Sequence, residues 1–170
     1  MEVKKYTRKY LNSSIGYVVL GILFALGTNH GLAFALSTDM PIVAVESNSM
    51  VPTFQRGDIL VLQGIPSEHL TVGDIIVFSP NTQTTPIVHR IIDINPDGTF
   101  QTKGDANTGQ LSFEKKIDEN QIHGREVLII PYLGWIKIGV IEYLAPNILW
   151  VIFISAIGII AYVGTKNFIL

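Results

Sequence analysis

The sequence predicts a mainly β domain carried between two transmembrane α-helices. Two uncharged apolar runs lie near the ends of the 170-residue chain, and short β-branched segments separated by turn residues fill the space between them. No helical period of useful length appears over residues 38–126. Only 15% of the residues are charged, well under the roughly 25% of a soluble domain, and mean hydropathy is +0.37. A net charge of −2 leaves no basic footprint, so nucleic acid is not expected as a partner. The absence of cysteine excludes a disulfide framework, a thiolate nucleophile and Cys-based metal sites.

Residues 15–36 and 147–164 contain no Asp, Glu, Lys or Arg, and each run is long enough to cross about 30 Å of hydrocarbon as a helix. Lys4, Lys5, Arg8 and Lys9 precede the first run with Glu2 as the one acid, a local charge of +3. Residues 37–146 hold 7 Lys/Arg against 13 Asp/Glu, a net of −6. The positive-inside rule therefore keeps the N-terminus in the cytoplasm and places the middle of the chain outside it. The expected organisation is a basic tail at 1–14, a membrane helix at 15–36 and an extracytoplasmic β domain at 37–143. A second membrane helix follows at 144–165, and a short cytoplasmic tail at 166–170. Ala33-Phe34-Ala35 has the form of a signal-peptide cleavage site, but the apolar run is long for one, and an uncleaved anchor is expected.

Five segments read as strands: PIVAVES, GDILVLQG, GDIIVFSP, TPIVHRIIDI and TFQTKG. Asn95-Pro96-Asp97-Gly98 between the last two is a hairpin signal. Residues 127–143 are apolar and aromatic but interrupted by Pro131 and Gly134. They suit a strand followed by a segment at the membrane interface, with Tyr132, Trp135 and Tyr143 at headgroup level. Thr82 to Pro86 reads as a polar loop.

Hydrolytic chemistry needs a nucleophile, a base near neutral pKa and a group that orients the base. His30, His69 and His123 lie in contexts where a surface or interface histidine is the simplest reading. His89 lies inside a strand with apolar flanks, Val88 and Ile91, where a lone histidine is ordinarily a satisfied core residue. A serine-rich turn, Glu46-Ser47-Asn48-Ser49-Met50-Val51-Pro52, follows the first β run, and the acid-bearing sequence Thr102-Lys103-Gly104-Asp105-Ala106-Asn107 begins in the end of the fifth and runs past it. No histidine pair has ligand spacing and no carboxylate cluster is evident, so neither a metal nor another cofactor is expected.

The Ser-x-Ser-Met-x-Pro pattern resembles the catalytic box of type I signal peptidases. The further boxes stand in that family's order: Arg56-Gly57-Asp58, Gly73-Asp74-Ile75-Ile76, Val88-His89-Arg90-Ile91, Gly104-Asp105 and Pro131-Tyr132-Leu133-Gly134. A histidine at position 89, where the common bacterial enzymes have lysine, resembles the endoplasmic-reticulum-type branch. An imidazole with an unperturbed pKa near 6.5 serves as a base without the desolvation a lysine requires.

The resemblance implies a signal-peptidase-type antiparallel β domain in which Ser49 is the nucleophile and His89 the general base. The Ser47 hydroxyl and the Ser49 N–H form the oxyanion site, and Asp105 orients His89. The chain departs from the branch in lacking a further aspartate soon after Gly104-Asp105. Either Asp105 acts alone, or Glu114 or Asp118 reaches the histidine through a rearranged loop. An edge strand near residues 42–45 suits an extended peptide, with Ile42, Ala44, Phe78 and Val88 expected to line pockets for small side chains. The implied partners are signal peptides of preproteins and the lipid membrane, with the translocation machinery as a further one. The membrane would be the plasma membrane in a prokaryote and the endoplasmic reticulum in a eukaryote. The alternatives are a peptidase specialised for a few substrates and an inactive relative that only binds signal peptides.

Overall fold

The computed structural model describes residues 2–81, 85–150, 153–155 and 157. Helix α1 (Glu2–Ala35) contains the one helix among the described residues long and apolar enough to cross a membrane, Gly16–Ala35. It starts earlier than the apolar run predicts, because residues 2–15 contain no proline or glycine to stop it. Half of the second expected span, 144–165, lies outside the described residues. Its first part is not a straight helix: the π-helical stretch Gly139–Leu144 gives way to a turn at 145–147, at Pro146, before helical residues resume at 148.

Between these ends lies one antiparallel sheet of β1 (Ile42–Ala44), β2 (Ile59–Gln63), β3 (Ile75–Phe78), β4 (Ile87–Ile94), β5 (Phe100–Lys103) and β6 (Ile122–Ile130). Its order is β1-β2-β6-β3-β4-β5, so the last strand in sequence is inserted between β2 and β3. Among the described residues between 38 and 126 the helices are three short 3-10 turns, at Ser67–His69, Ser112–Lys115 and Glu119–Gln121. The expected hairpin joins β4 to β5. Gly98 takes φ +82° and donates to Asn95 O at 2.9 Å, a conformation that glycine adopts without a Cβ penalty.

The sheet has a core on each side. One is built from Val45, Met50, Phe54, Leu60, Leu62, Ile75 and Val77, the other from Leu70, Ile76, Phe78, Ile91, Phe100 and Ile117. Strand β3 contributes to both, and all four of its residues are buried. This corrects the expectation that Phe78 lines a substrate pocket: it is 0% exposed, in the second core. Register shifts at Val61/Leu62, Val77/Phe78 and Ile91/Asp93 mark bulges, which bend strands and raise their twist.

Candidate active site

The turn bearing Ser49 is held at its base and pinned at its middle. Val45 N–H donates to Asp58 O and Gly57 N–H to Val45 O, both at 2.9 Å, closing the chain from β1 to β2. Met50 and Phe54 are buried in the first core, at 1% and 4% exposure, and leave Ser49 at the rim between them and solvent. Asn48 Oδ1 accepts from Arg56 N–H at 2.9 Å across the turn. Ser49 O accepts from Ala106 N–H at 2.8 Å, which ties the turn to the segment after β5.

His89 comes from β4. Directly opposed residues of an antiparallel pair share a face, and the register sets His89 against Ile76 and Ile91 against Thr102. His89 therefore stands on the same face as Ile91 and Thr102, and the segment carrying Glu114 covers that face. Its Nε2 lies 3.1 Å from Ser49 Oγ, while Nδ1 is hydrogen-bonded to Glu114 Oε1. Glu114 is fully buried. It also accepts from Leu111 N–H at 2.6 Å and from the Thr102 hydroxyl at 3.4 Å. A buried carboxylate requires such donors. With Nδ1–H given to Glu114, the Nε2 lone pair faces the serine hydroxyl, the tautomer that a base requires. Ser47 Oγ is 3.2 Å from Ser49 Oγ.

Asp105 is placed elsewhere. Arg90, next to His89 in β4, faces the opposite side of the strand, and its Nε and Nη2 meet Asp105 at 2.9 and 2.6 Å. The Thr53 hydroxyl donates to the same carboxylate at 2.6 Å. The Arg90 guanidinium, helped by Thr53, holds the Asp105 carboxyl below the usual carboxylate range despite partial burial. The expectation that Asp105 orients His89 thus gives way to the alternative that Glu114 does. The physical cause is strand alternation, which turns Arg90 and its partner away from His89 Nδ1. Asp118 is exposed and accepts no bond from the histidine; its N–H donates to Gln121 Oε1.

An open cavity of about 600 Å³ begins at Ser47, Ser49 and His89 and runs along β1 and the start of β4. Val43, Ala44, Val45, Val77, Ile87 and Val88 form its apolar wall, Asn107 and Leu111 border the catalytic end, and Glu46 and Lys137 also line it. Of the four expected lining residues, Ala44 and Val88 are there. Ile42 is not: it is 48% exposed at the start of β1 and does not line the cavity.

Gly104 belongs to the site as well, although its residue type alone does not mark it. A Cβ there would lie 2.8 Å from His89 Nε2 and 2.7 Å from Ser49 O, so only glycine lets β5 run on beside the histidine. The one available signal was its place at the end of the β run TFQTKG. Lys137 carried no signal, because it reaches the cavity from a distant segment.

A second hydroxyl–imidazole–carboxylate chain shows why the cavity matters. Ser79 Oγ is 2.7 Å from His123 Nε2, and His123 Nδ1 is 3.0 Å from Asp39 Oδ2. Two clefts border His123, but Ser79 lines neither of them. His30 and His69 are exposed. Among the described residues no group of three or more His, Asp or Glu is placed to hold a metal.

A β domain with a serine, a histidine and a buried acid in series at the mouth of an apolar cavity has the form of a serine hydrolase. Residues 15–127 match the model of the signal peptidase family, peptidase S26, and the chain belongs to that family. It is 33% identical over 155 residues to signal peptidase complex catalytic subunit SEC11C of Homo sapiens, covering 84% of this chain and 79% of that one. Against catalytic subunit SEC11 of Lachancea thermotolerans the identity is 37% over 155 residues, covering 81% and 92%. Against that of Zygosaccharomyces rouxii it is 38% over 122 residues, covering 66% and 72%.

Proposed function

We propose that this chain is a membrane-anchored serine endopeptidase that removes N-terminal signal peptides from exported preproteins. The observation that carries the mechanism is the 3.1 Å approach of Ser49 Oγ to His89 Nε2, with Glu114 on the far nitrogen. His89 takes the Ser49 proton as Oγ bonds to the scissile carbonyl carbon. Glu114 holds the imidazole in the required tautomer and balances the imidazolium that forms. The imidazolium then protonates the leaving amine of the mature protein as the C–N bond breaks. Water, deprotonated by His89, hydrolyses the ester left on Ser49. The Ser47 hydroxyl and the Ser49 N–H are the donors assigned to the developing oxyanion.

Strand β1 is a sheet edge, so an extended peptide can add to it by main-chain hydrogen bonds. The wall of Ala44, Val88 and their neighbours then receives small side chains next to the scissile bond. α1 anchors the domain. The orientation read from the charge pattern sets residues 37–143 outside the cytoplasm, with residues 144–165 as a second anchor. Since the relatives are named as subunits of a signal peptidase complex, further subunits are the expected protein partners.

The test is cleavage of a preprotein with alanine at the first and third positions before the cut, by the full chain in liposomes. Wild type should release the mature protein, and Ser49→Ala and His89→Ala should release none above background while inserting normally. Equal cleavage by Ser49→Ala would overturn the proposal. A well-folded wild type that binds such preproteins and cuts none would replace it with a binding function.

A further inference from the structure

The catalytic turn, residues 46–56, is braced by the segment that follows β6. Glu46, three residues before Ser49, meets Lys137 Nζ at 3.3 Å. Lys137 lies on α2 (Trp135–Ile138). Arg56, seven residues after Ser49, gives its guanidinium to Glu142 in the π-helical stretch and lies 5.4 Å from the centre of the Trp135 ring. The Arg56 backbone also holds Asn48, the neighbour of the nucleophile, so one residue joins the turn to the bracing segment. Packing at this joint is close. A Cβ on Gly57 would fall 2.0 Å from Trp135 Nε1, and one on Gly134 would fall 2.7 Å from Asp58 O.

We propose that the segment Trp135–Leu144 positions the catalytic turn, with Lys137 and Glu142 as its positioning residues. The inference rests on the reading of Ser49 as nucleophile. The turn presents a negative charge before Ser49 and a positive one after it, and the segment answers with positive and then negative. A slipped register would bring like charges together, so the pattern specifies one placement of the turn. Exposed ion pairs are individually weak. Two of opposite polarity at the two ends of one turn, with the arginine also lying over the Trp135 ring, restrain its sliding and rotation jointly. The same segment exposes Ile136, Val140, Ile141 and Tyr143, which suit the membrane interface. The element that rests on the lipid is thereby the one that sets the nucleophile.

Charge exchange tests this in the full chain reconstituted in liposomes. Arg56→Glu and Glu142→Arg, made singly, should each lower kcat about ten-fold or more through misplacement of the nucleophile, with KM little changed. The double exchange should recover most of the loss. Glu46 and Lys137 also line the cavity, so Glu46→Lys and Lys137→Glu should each lower kcat, with changes in KM as well, and their double exchange should recover most of the loss in kcat. Hydrogen exchange of backbone amides in residues 46–56 is read in parallel: faster in each single variant, restored in the double. Double exchanges no better than the singles, or singles that change neither kcat nor exchange, overturn the inference. Failure of the peptidase reading would show separately, as absent cleavage in wild type, and the exchange rates would still decide the positioning claim.

Discussion

His89 Nδ1 is bonded to Glu114, nine residues beyond Asp105 in the chain, and Asp105 is bonded instead to Arg90 and Thr53. The two acids thus divide two tasks. Glu114 faces His89, and Asp105 ties the segment after β5 to β4 and to the turn that bears Ser49.

Glu114→Gln should therefore leave a folded, membrane-inserted protein with kcat reduced by up to about 10⁴, the scale of an acid-to-amide change in a triad enzyme. Glu114→Asp, one methylene shorter, should lose less. Single-turnover cleavage of a preprotein checks both, and a Gln variant with wild-type kcat would remove Glu114 from the mechanism.

Asp105→Asn should act on stability first. Removing one partner of a half-screened pair costs about 1 kcal/mol, more if Arg90 finds no substitute. Because the folded-state pKa of Asp105 is depressed, its stabilisation is fully present above the unfolded value of about 3.9 and disappears as pH falls through the folded one. Denaturant melts between pH 7 and pH 3 should show wild type losing more stability than Asp105→Asn at the acid end. Parallel curves would contradict this assignment.

Gly104→Ala should fold and yet cleave at least about 10²-fold more slowly, because the added methyl must displace His89 or the Ser49 backbone. Preprotein cleavage normalised to folded protein measures it. Normal turnover would show that the site has slack that the close contacts do not suggest.

Phe78 and Ala44 separate core from cavity. Phe78→Ala should cost about 3–5 kcal/mol of stability through the void it leaves, with cleavage-site preference unchanged. Ala44→Leu should leave the melt nearly unaltered and reduce cleavage of substrates with the bulkier of two tolerated residues before the cut. Melting curves and a substrate panel distinguish the two.

Much of this arrangement is legible in residue order, for reasons that remain local. Asn95-Pro96-Asp97-Gly98 encodes its own turn, and the β-branched runs around Ile59, Ile75 and Ile87 are strands whatever their partners. Ser49 and His89 stood out because each interrupts or follows such a run. Contacts fixed by the fold are harder to read. Glu114 reaches His89 across 25 positions, and it does so because Phe113 and Ile117 bury the segment against the second core. Phe78 looks like a candidate pocket residue until both faces of β3 are known to be covered. Strand β6 begins at Ile122, earlier than its apolar stretch from Val127. His123, Arg125 and Glu126 conceal a strand whose hydrogen bonds go to β2 on one side and β3 on the other.

Acylation of Ser49, with His89 as its base, is the step on which the proposed peptidase activity rests. Rapid acid quench of wild type mixed with a preprotein, followed by mass spectrometry of its peptides, tests this directly. A signal-peptide adduct is expected on the peptide containing Ser47 and Ser49, located at Ser49 by fragmentation and absent in His89→Ala. An adduct on Ser47 or Ser79, or one on Ser49 that forms equally fast without His89, would contradict it.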